Sequence, residues 1–173
     1  MNRRSFFSYG FAFGTVAALS SAPLASALNF LEVLAQETNA SPIGRIVKTD
    51  EEWKRILTRE QYYVTRQKGT EAPYSSPLNK IHAEGTFVCV CCELPLFSSK
   101  AKFDSHTGWP SFWTPIASQN VREETDNSLS ETRTEVLCAR CDAHLGHVFD
   151  DGPPPTGLRY CMNGVALKFV KKK

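Results

Sequence analysis

Cysteine is too sparse for a disulfide-built miniature: the chain has six in 173 residues, whereas such scaffolds exceed about 8–10%. Charge imbalance is lacking as well. Arg3 and Arg4 account for the whole net charge of +2, so the body beyond residue 27 is neutral. It has no excess of cations to neutralise phosphates, and no nucleic-acid partner is expected. No self-similarity appears at periods of 20–50 residues, which excludes solenoids and propellers. There is no compositional bias towards disorder either, with 42% apolar and 22% charged residues. A chain of this length can bury a core of its own as one domain.

Charge is missing altogether between Arg4 and Glu32. A paired-Arg start, an apolar stretch from Phe11 to Leu19 and the small residues Ala25-Ser26-Ala27 have the layout of an export signal. The twin arginine resembles the signal that exports already folded proteins. The expectation is a signal at 1–27, an irregular leader at 28–45, a domain at 46–170 and a basic tail at 171–173. An uncleaved anchor and a general secretory signal are the alternatives. The expected location is an exported one, periplasmic or a thylakoid-lumen-like compartment, with membrane contact only during export.

Within the body, Thr49-Asp50-Glu51-Glu52 and Thr58-Arg59-Glu60-Gln61 both have the capping-box pattern. They predict two short helices, the second running to about Arg66 and ending at Lys68-Gly69. After Pro73 the helical period is lost. Short apolar or aromatic runs at 85–90, 94–97, 136–138, 147–149, 159–162 and 166–170 predict strands. The expected fold is mainly β: a small antiparallel domain of two packed sheets with short N-terminal helices.

Two Cys-x-x-Cys pairs, Cys89/Cys92 and Cys138/Cys141, lie far apart in the chain. Each spacing lets one tight turn aim two sulfurs at a common ion, and two such turns complete a tetrahedron suited to one structural zinc per chain. Such an ion would clamp two distant hairpins and close a long loop. Disulfides and a redox pair are the alternatives. Cys91 is left over, and a buried small apolar residue accounts for it.

Cys161 also stands apart, in Gly157-Leu158-Arg159-Tyr160-Cys161-Met162-Asn163. On a strand, Arg159, Cys161 and Asn163 share a face, which sets a permanent cation and an amide beside a thiol whose reactive form is the thiolate. His144-Leu145-Gly146-His147 lies upstream and offers imidazoles for proton transfer near neutral pH. Each residue alone also fits a core, edge or turn role.

Three segments, Phe103-Asp104-Ser105-His106-Thr107-Gly108-Trp109-Pro110-Ser111-Phe112, His144-Leu145-Gly146-His147-Val148-Phe149-Asp150-Asp151-Gly152-Pro153 and the Cys161 segment, resemble the B-type methionine-R-sulfoxide reductase family in order and spacing. Both Cys-x-x-Cys pairs match too. The resemblance implies reduction of methionine-R-sulfoxide in oxidised peptides or proteins, with a thioredoxin-like or other thiol reductant, and a monomer is expected. It implies Cys161 as nucleophile, with His144, His147 and Asn163 polarising the sulfoxide oxygen and stabilising the thiolate. Arg159 matches the nearby cation. Trp109 is implied as the indole against the S-methyl group, and Phe149 as a further substrate contact. Cys89, Cys92, Cys138 and Cys141 match structural zinc ligands remote from the chemistry.

One departure bears on turnover. Many members carry a resolving Cys where this chain has Thr107, and His106 replaces a common Gly. Either Cys91 or an external thiol then attacks the Cys161 sulfenic acid, and the rigidity expected of a zinc knuckle favours the external thiol. The competing functions are a zinc-dependent interaction module without catalysis, a disulfide-stabilised structural domain, and a zinc hydrolase. A four-Cys site leaves the last no open coordination position.

Overall fold

The computed structural model describes residues 43–173; the expected signal and most of the expected leader lie outside the described residues. No helix among the described residues is long and apolar enough to cross a membrane.

Both capping boxes form. Helix α1 (Asp50–Ile56) is capped by Thr49, whose hydroxyl accepts from the Glu52 N–H while the Glu52 carboxylate accepts from the Thr49 N–H. Helix α2 (Arg59–Gln67) repeats this with Thr58 and Gln61, and Lys68 ends it in a left-handed conformation. The Arg66 guanidinium lies 4.3 Å from the Trp53 ring centroid, which ties the two helices.

The strands are β1 (Gly85–Cys89), β2 (Pro95–Ser98), β3 (Lys102–Phe103), β4 (Ser111–Phe112), β5 (Val121–Asp126), β6 (Arg133–Cys138), β7 (His144–Phe149), β8 (Arg159–Met162) and β9 (Leu167–Lys171). They form two antiparallel sheets, ordered β2-β1-β9 and β3-β4-β8-β7-β6-β5. This is the mainly β, two-sheet fold expected from the sequence. Ile43 and Ile46 pack against the core, and the Ile46 N–H donates to Arg140 O at 2.8 Å, so the folded unit takes in the end of the segment expected as leader.

Strand alternation divides the six-stranded sheet into an apolar and a polar face. Val136, Tyr160, Met162 and Phe112 are buried on the apolar face and meet the aromatics of the smaller sheet. Phe97 stacks on Phe112 at 4.4 Å between centroids, and Phe87 meets Phe112 edge-on at 4.9 Å. The other face carries Ser111, Cys161, His147 and Glu135, all polar or reactive.

Phe112 joins both sheets and is fully buried. Phe112→Ala is expected to cost about 3–5 kcal/mol through lost transfer energy and a residual cavity, read as a lower urea midpoint at an unchanged slope.

Candidate active site and metal centre

Cys89 ends β1 and Cys138 ends β6, so each Cys-x-x-Cys pair turns a hairpin, β1/β2 or β6/β7. The two turns are built alike. The Glu93 N–H donates to Cys89 O at 2.8 Å, and the Asp142 N–H donates to Cys138 O at 2.9 Å. Glu93 and Asp142 are both left-handed, with φ of 59° and 54°. The four sulfurs lie within 4.8 Å of one another, with 3.8 Å for Cys89–Cys141 and 3.5 Å for Cys92–Cys138. A tetrahedron with metal–sulfur bonds of about 2.3 Å has edges of about 3.8 Å, so the donor set fits one metal ion. Arg66 reinforces the cluster from α2, donating to Cys141 O at 2.8 Å and approaching Cys141 Sγ at 3.6 Å.

Cys161 lies elsewhere, on central strand β8. Register pairs it with Ser111 of β4 on one side and His147 of β7 on the other. These three side chains therefore stand in one row on one face. Gly146 permits the close approach of β7 to β8: a Cβ there would lie 2.2 Å from Cys161 O. A small cavity of about 120 Å³ opens over this row, lined by Thr70, Trp109, Arg133, Gly146, His147, Phe149, Cys161 and Asn163. It brings together Cys161, His147, Asn163, Trp109 and Phe149 of the expected site. Thr107 fills the place beside the sulfur, with its hydroxyl 3.7 Å from Sγ and in a hydroxyl chain through Ser105 to Ser111.

His144 and Arg159 stand back from this cavity. Arg159 holds Asp151 through two hydrogen bonds of 2.8 and 2.9 Å, its guanidinium 4.3 Å from the Phe149 ring centroid. The pairing with Asp151 raises its already high pKa. The buried His144 ring packs at 5.5 Å from that of His147. Asn163 follows β8 rather than belonging to it. Its side chain accepts from the Glu71 N–H and donates to Leu145 O, so it braces two segments as well as lining the cavity.

Each imidazole is backed by a carboxylate that is itself held by a cation. His144 Nδ1 lies 2.7 Å from Glu135, which accepts from Lys68 at 2.6 Å. His147 Nε2 lies 2.8 Å from Asp126, which accepts from Arg133 at 2.6 Å. Burial pushes the His144 pKa down against the opposing pull of Glu135. Its buried Nε2 has no hydrogen-bond partner among the described residues. Burial raises the Glu135 carboxyl, but Lys68 and His144 outweigh it and the net shift is downward. Hydrogen bonds from Ser128, then from His147, hold Asp126 well below the usual carboxylate range.

Glu71 is the largest omission from the sequence expectation. Its buried carboxylate accepts from the Gly164 and Val165 N–H groups at 2.7 and 2.8 Å. Its carbonyl accepts from Trp109 Nε1 at 3.2 Å. One residue thus fixes the indole and the segment after Cys161. Asp126, Glu135, Arg133 and Thr70 were also missed; nothing local in the sequence distinguishes them from surface polar residues.

Because His144 is depressed below its unfolded value of about 6.5, it contributes stability that is present above that value and lost as pH falls through it. The wild-type urea midpoint is expected to decline as pH falls below about 6.5, and that of His144→Asn to decline less.

Comparison with known proteins gives a consistent result. The SelR domain matches residues 57–171. A protein of Pseudomonas putida called peptide methionine sulfoxide reductase MsrB is 58% identical over 125 residues, covering 72% of this chain and 94% of that one. Proteins of the same name from Pseudomonas syringae and Hahella chejuensis are 56% and 54% identical, covering 75% and 73% of this chain and 99% and 91% of theirs. With a domain match across most of its length and relatives more than half identical, the chain belongs to the peptide methionine sulfoxide reductase MsrB family.

Proposed function

We propose that this protein reduces methionine sulfoxide in peptides and proteins to methionine, taking the R configuration at sulfur and using Cys161 as nucleophile. The observation that carries the reading is the cross-strand pairing of Cys161 with His147 in a cavity walled by Trp109 and Phe149. An interaction module would leave that cavity unexplained.

The chemistry follows from the substrate. A methyl sulfoxide presents an apolar methyl and a polar S–O bond. Trp109, its indole held by Glu71, supplies a wall for the methyl. His147 has Nε2 engaged by Asp126, which leaves Nδ1 as the ring atom to hand a proton to the sulfoxide oxygen. The Cys161 thiolate attacks the activated sulfur. Oxygen passes to Cys161, which becomes a sulfenic acid as methionine leaves. The substrate sulfur gains two electrons and the Cys161 sulfur loses two. A thiol from a thioredoxin-like or other reductant then attacks the sulfenic acid, releasing water and forming a mixed disulfide. A second thiol restores Cys161. The residue beside the sulfur is Thr107, which carries no thiol, and Cys91 does not line the cavity. Both facts favour the external reductant.

The metal is zinc, held by Cys89, Cys92, Cys138 and Cys141, where it supplies cross-linking between two hairpins. Residues 1–27 act as a twin-arginine-type signal for export of the folded, metal-loaded enzyme to the periplasm. Loading before export would shield the thiolates from oxidation.

Cys161→Ser is expected to abolish reduction of R-sulfoxide peptides with dithiothreitol while metal content and fold persist. His147→Asn should lower kcat/KM by about 10²–10⁴-fold. An active Cys161→Ser protein, or equal consumption of the S epimer, would overturn the reading. Native protein should contain one zinc per chain by elemental analysis, and a strong chelator should lower its thermal midpoint sharply; an unchanged midpoint after complete zinc removal would refute the structural role.

A further inference from the structure

The catalytic cavity, at about 120 Å³, has room for one side chain and not for the polypeptide that bears it. The backbone on either side of an oxidised methionine must therefore lie on the surrounding surface. Two shallow grooves adjoin the cavity there, and each shares a wall with it. One, of about 350 Å³, begins at Trp109 and continues past Tyr74, Lys80, His82, Lys102 and Asp104. The other, of about 460 Å³, begins at Phe149 and Arg133 and continues past Glu123, Glu131 and Asp150.

The two grooves have opposite charge. In the Trp109 groove, Asp104 is the one acid, and it is engaged by its neighbour: it accepts from the His106 N–H at 2.9 Å, with the imidazole 3.4 Å away. In the Phe149 groove, Arg133 is the one base, and it is held by Asp126 at 2.6 Å. The residues of the majority sign are free of such partners. Among the described residues, Lys80, Lys102, Glu123, Glu131 and Asp150 make no ion pair; Lys102 donates to Asn79 O, and Glu123 accepts from the Tyr160 hydroxyl. The uncompensated charge is therefore cationic beyond Trp109 and anionic beyond Phe149.

We propose that these grooves seat the chain flanking the oxidised methionine in an extended segment, and that they select for charge asymmetry in it. Acidic residues on one side of the sulfoxide lie along Lys80 and Lys102. Basic residues on the other side lie along Glu123, Glu131 and Asp150. The proposal rests on the reductase reading of the central cavity and adds its preferred substrate class: protein segments whose charge changes sign across an oxidised methionine. The interactions are exposed, so they act on KM more than on kcat and weaken with salt.

The test uses the intact protein and two peptides of equal composition. One has two Asp before and two Lys after the methionine-R-sulfoxide; the other has the order reversed. N-acetyl-methionine-R-sulfoxide, which has no flanks, provides the reference rate for every variant. The two orders should differ about tenfold in kcat/KM at low ionic strength, mostly through KM, and converge in high salt. The preference should shrink in Lys80→Glu and in Glu131→Lys, and nearly vanish when both are combined. Equal rates for the two peptides at low salt would overturn the proposal, as would a preference unchanged in the double variant. If the N-acetyl compound is not reduced either, the failure lies in the reductase reading and not in the grooves.

Discussion

Strand β8 is hydrogen-bonded on both edges, to β4 through Ser111 and Phe112 and to β7 through 146–149. The pairing continues past its end, where the Asn163 N–H donates to Leu145 O. A central strand pinned in register has no freedom to slip, because a one-residue shift would send Cys161 into the aromatic core and Tyr160 to the surface. The position of the sulfur against the His147 imidazole follows from that register, and so does the buried face that Tyr160 and Met162 supply to the core. Placement of the thiol in its cavity and packing of the core are thus two faces of one constraint.

The cysteines divide by location. Four of them sit in hairpin turns at the ends of β1 and β6, where a bound metal ion would join one sheet to the other away from the Cys161 cavity. Such an ion would brace a small domain by closing a long loop between two hairpins. Cys161 is drawn from the middle of a sheet instead, where neighbouring strands and not a turn decide its surroundings. The hydroxyl chain from Thr107 through Ser105 to Ser111 surrounds the sulfur with oxygen in place of a second thiol.

Electrostatics around the site follow a repeated plan, in which a cation holds a carboxylate and the carboxylate holds an imidazole. The two instances differ in exposure. His144 is buried; His147 lines the cavity. A pair of histidines three residues apart thereby acquires different surroundings, the inner one packed in the interior and the outer one at the cavity wall. Glu71 completes the arrangement from the loop after α2, joining Trp109 to the segment beyond Cys161 with hydrogen bonds from backbone and side chain alike.

The helices, the Cys-x-x-Cys turns and six of the strands were legible because each carries a short-range signal: a capping box, a ligand spacing, or an apolar run between turns. Strand β5 was not, because Val121–Asp126 is polar nearly throughout and is held at a sheet edge by β6 alone. The two-residue strands β3 and β4 were too brief to show any period. At the site, the motifs identified Cys161, His147, Asn163, Trp109 and Phe149, which the fold gathers. They did not separate His144 and Arg159, which stand behind, from the residues lining the cavity. What local sequence determined, then, was the inventory of chemistry: which thiols come in pairs, which stands alone, and which turns and caps begin and end each element. Tertiary structure decided the partners, because Glu71, Asp126 and Lys68 reach the site across long stretches of chain. Charge and hydrogen-bond complementarity between such distant residues leaves no periodic trace in the sequence.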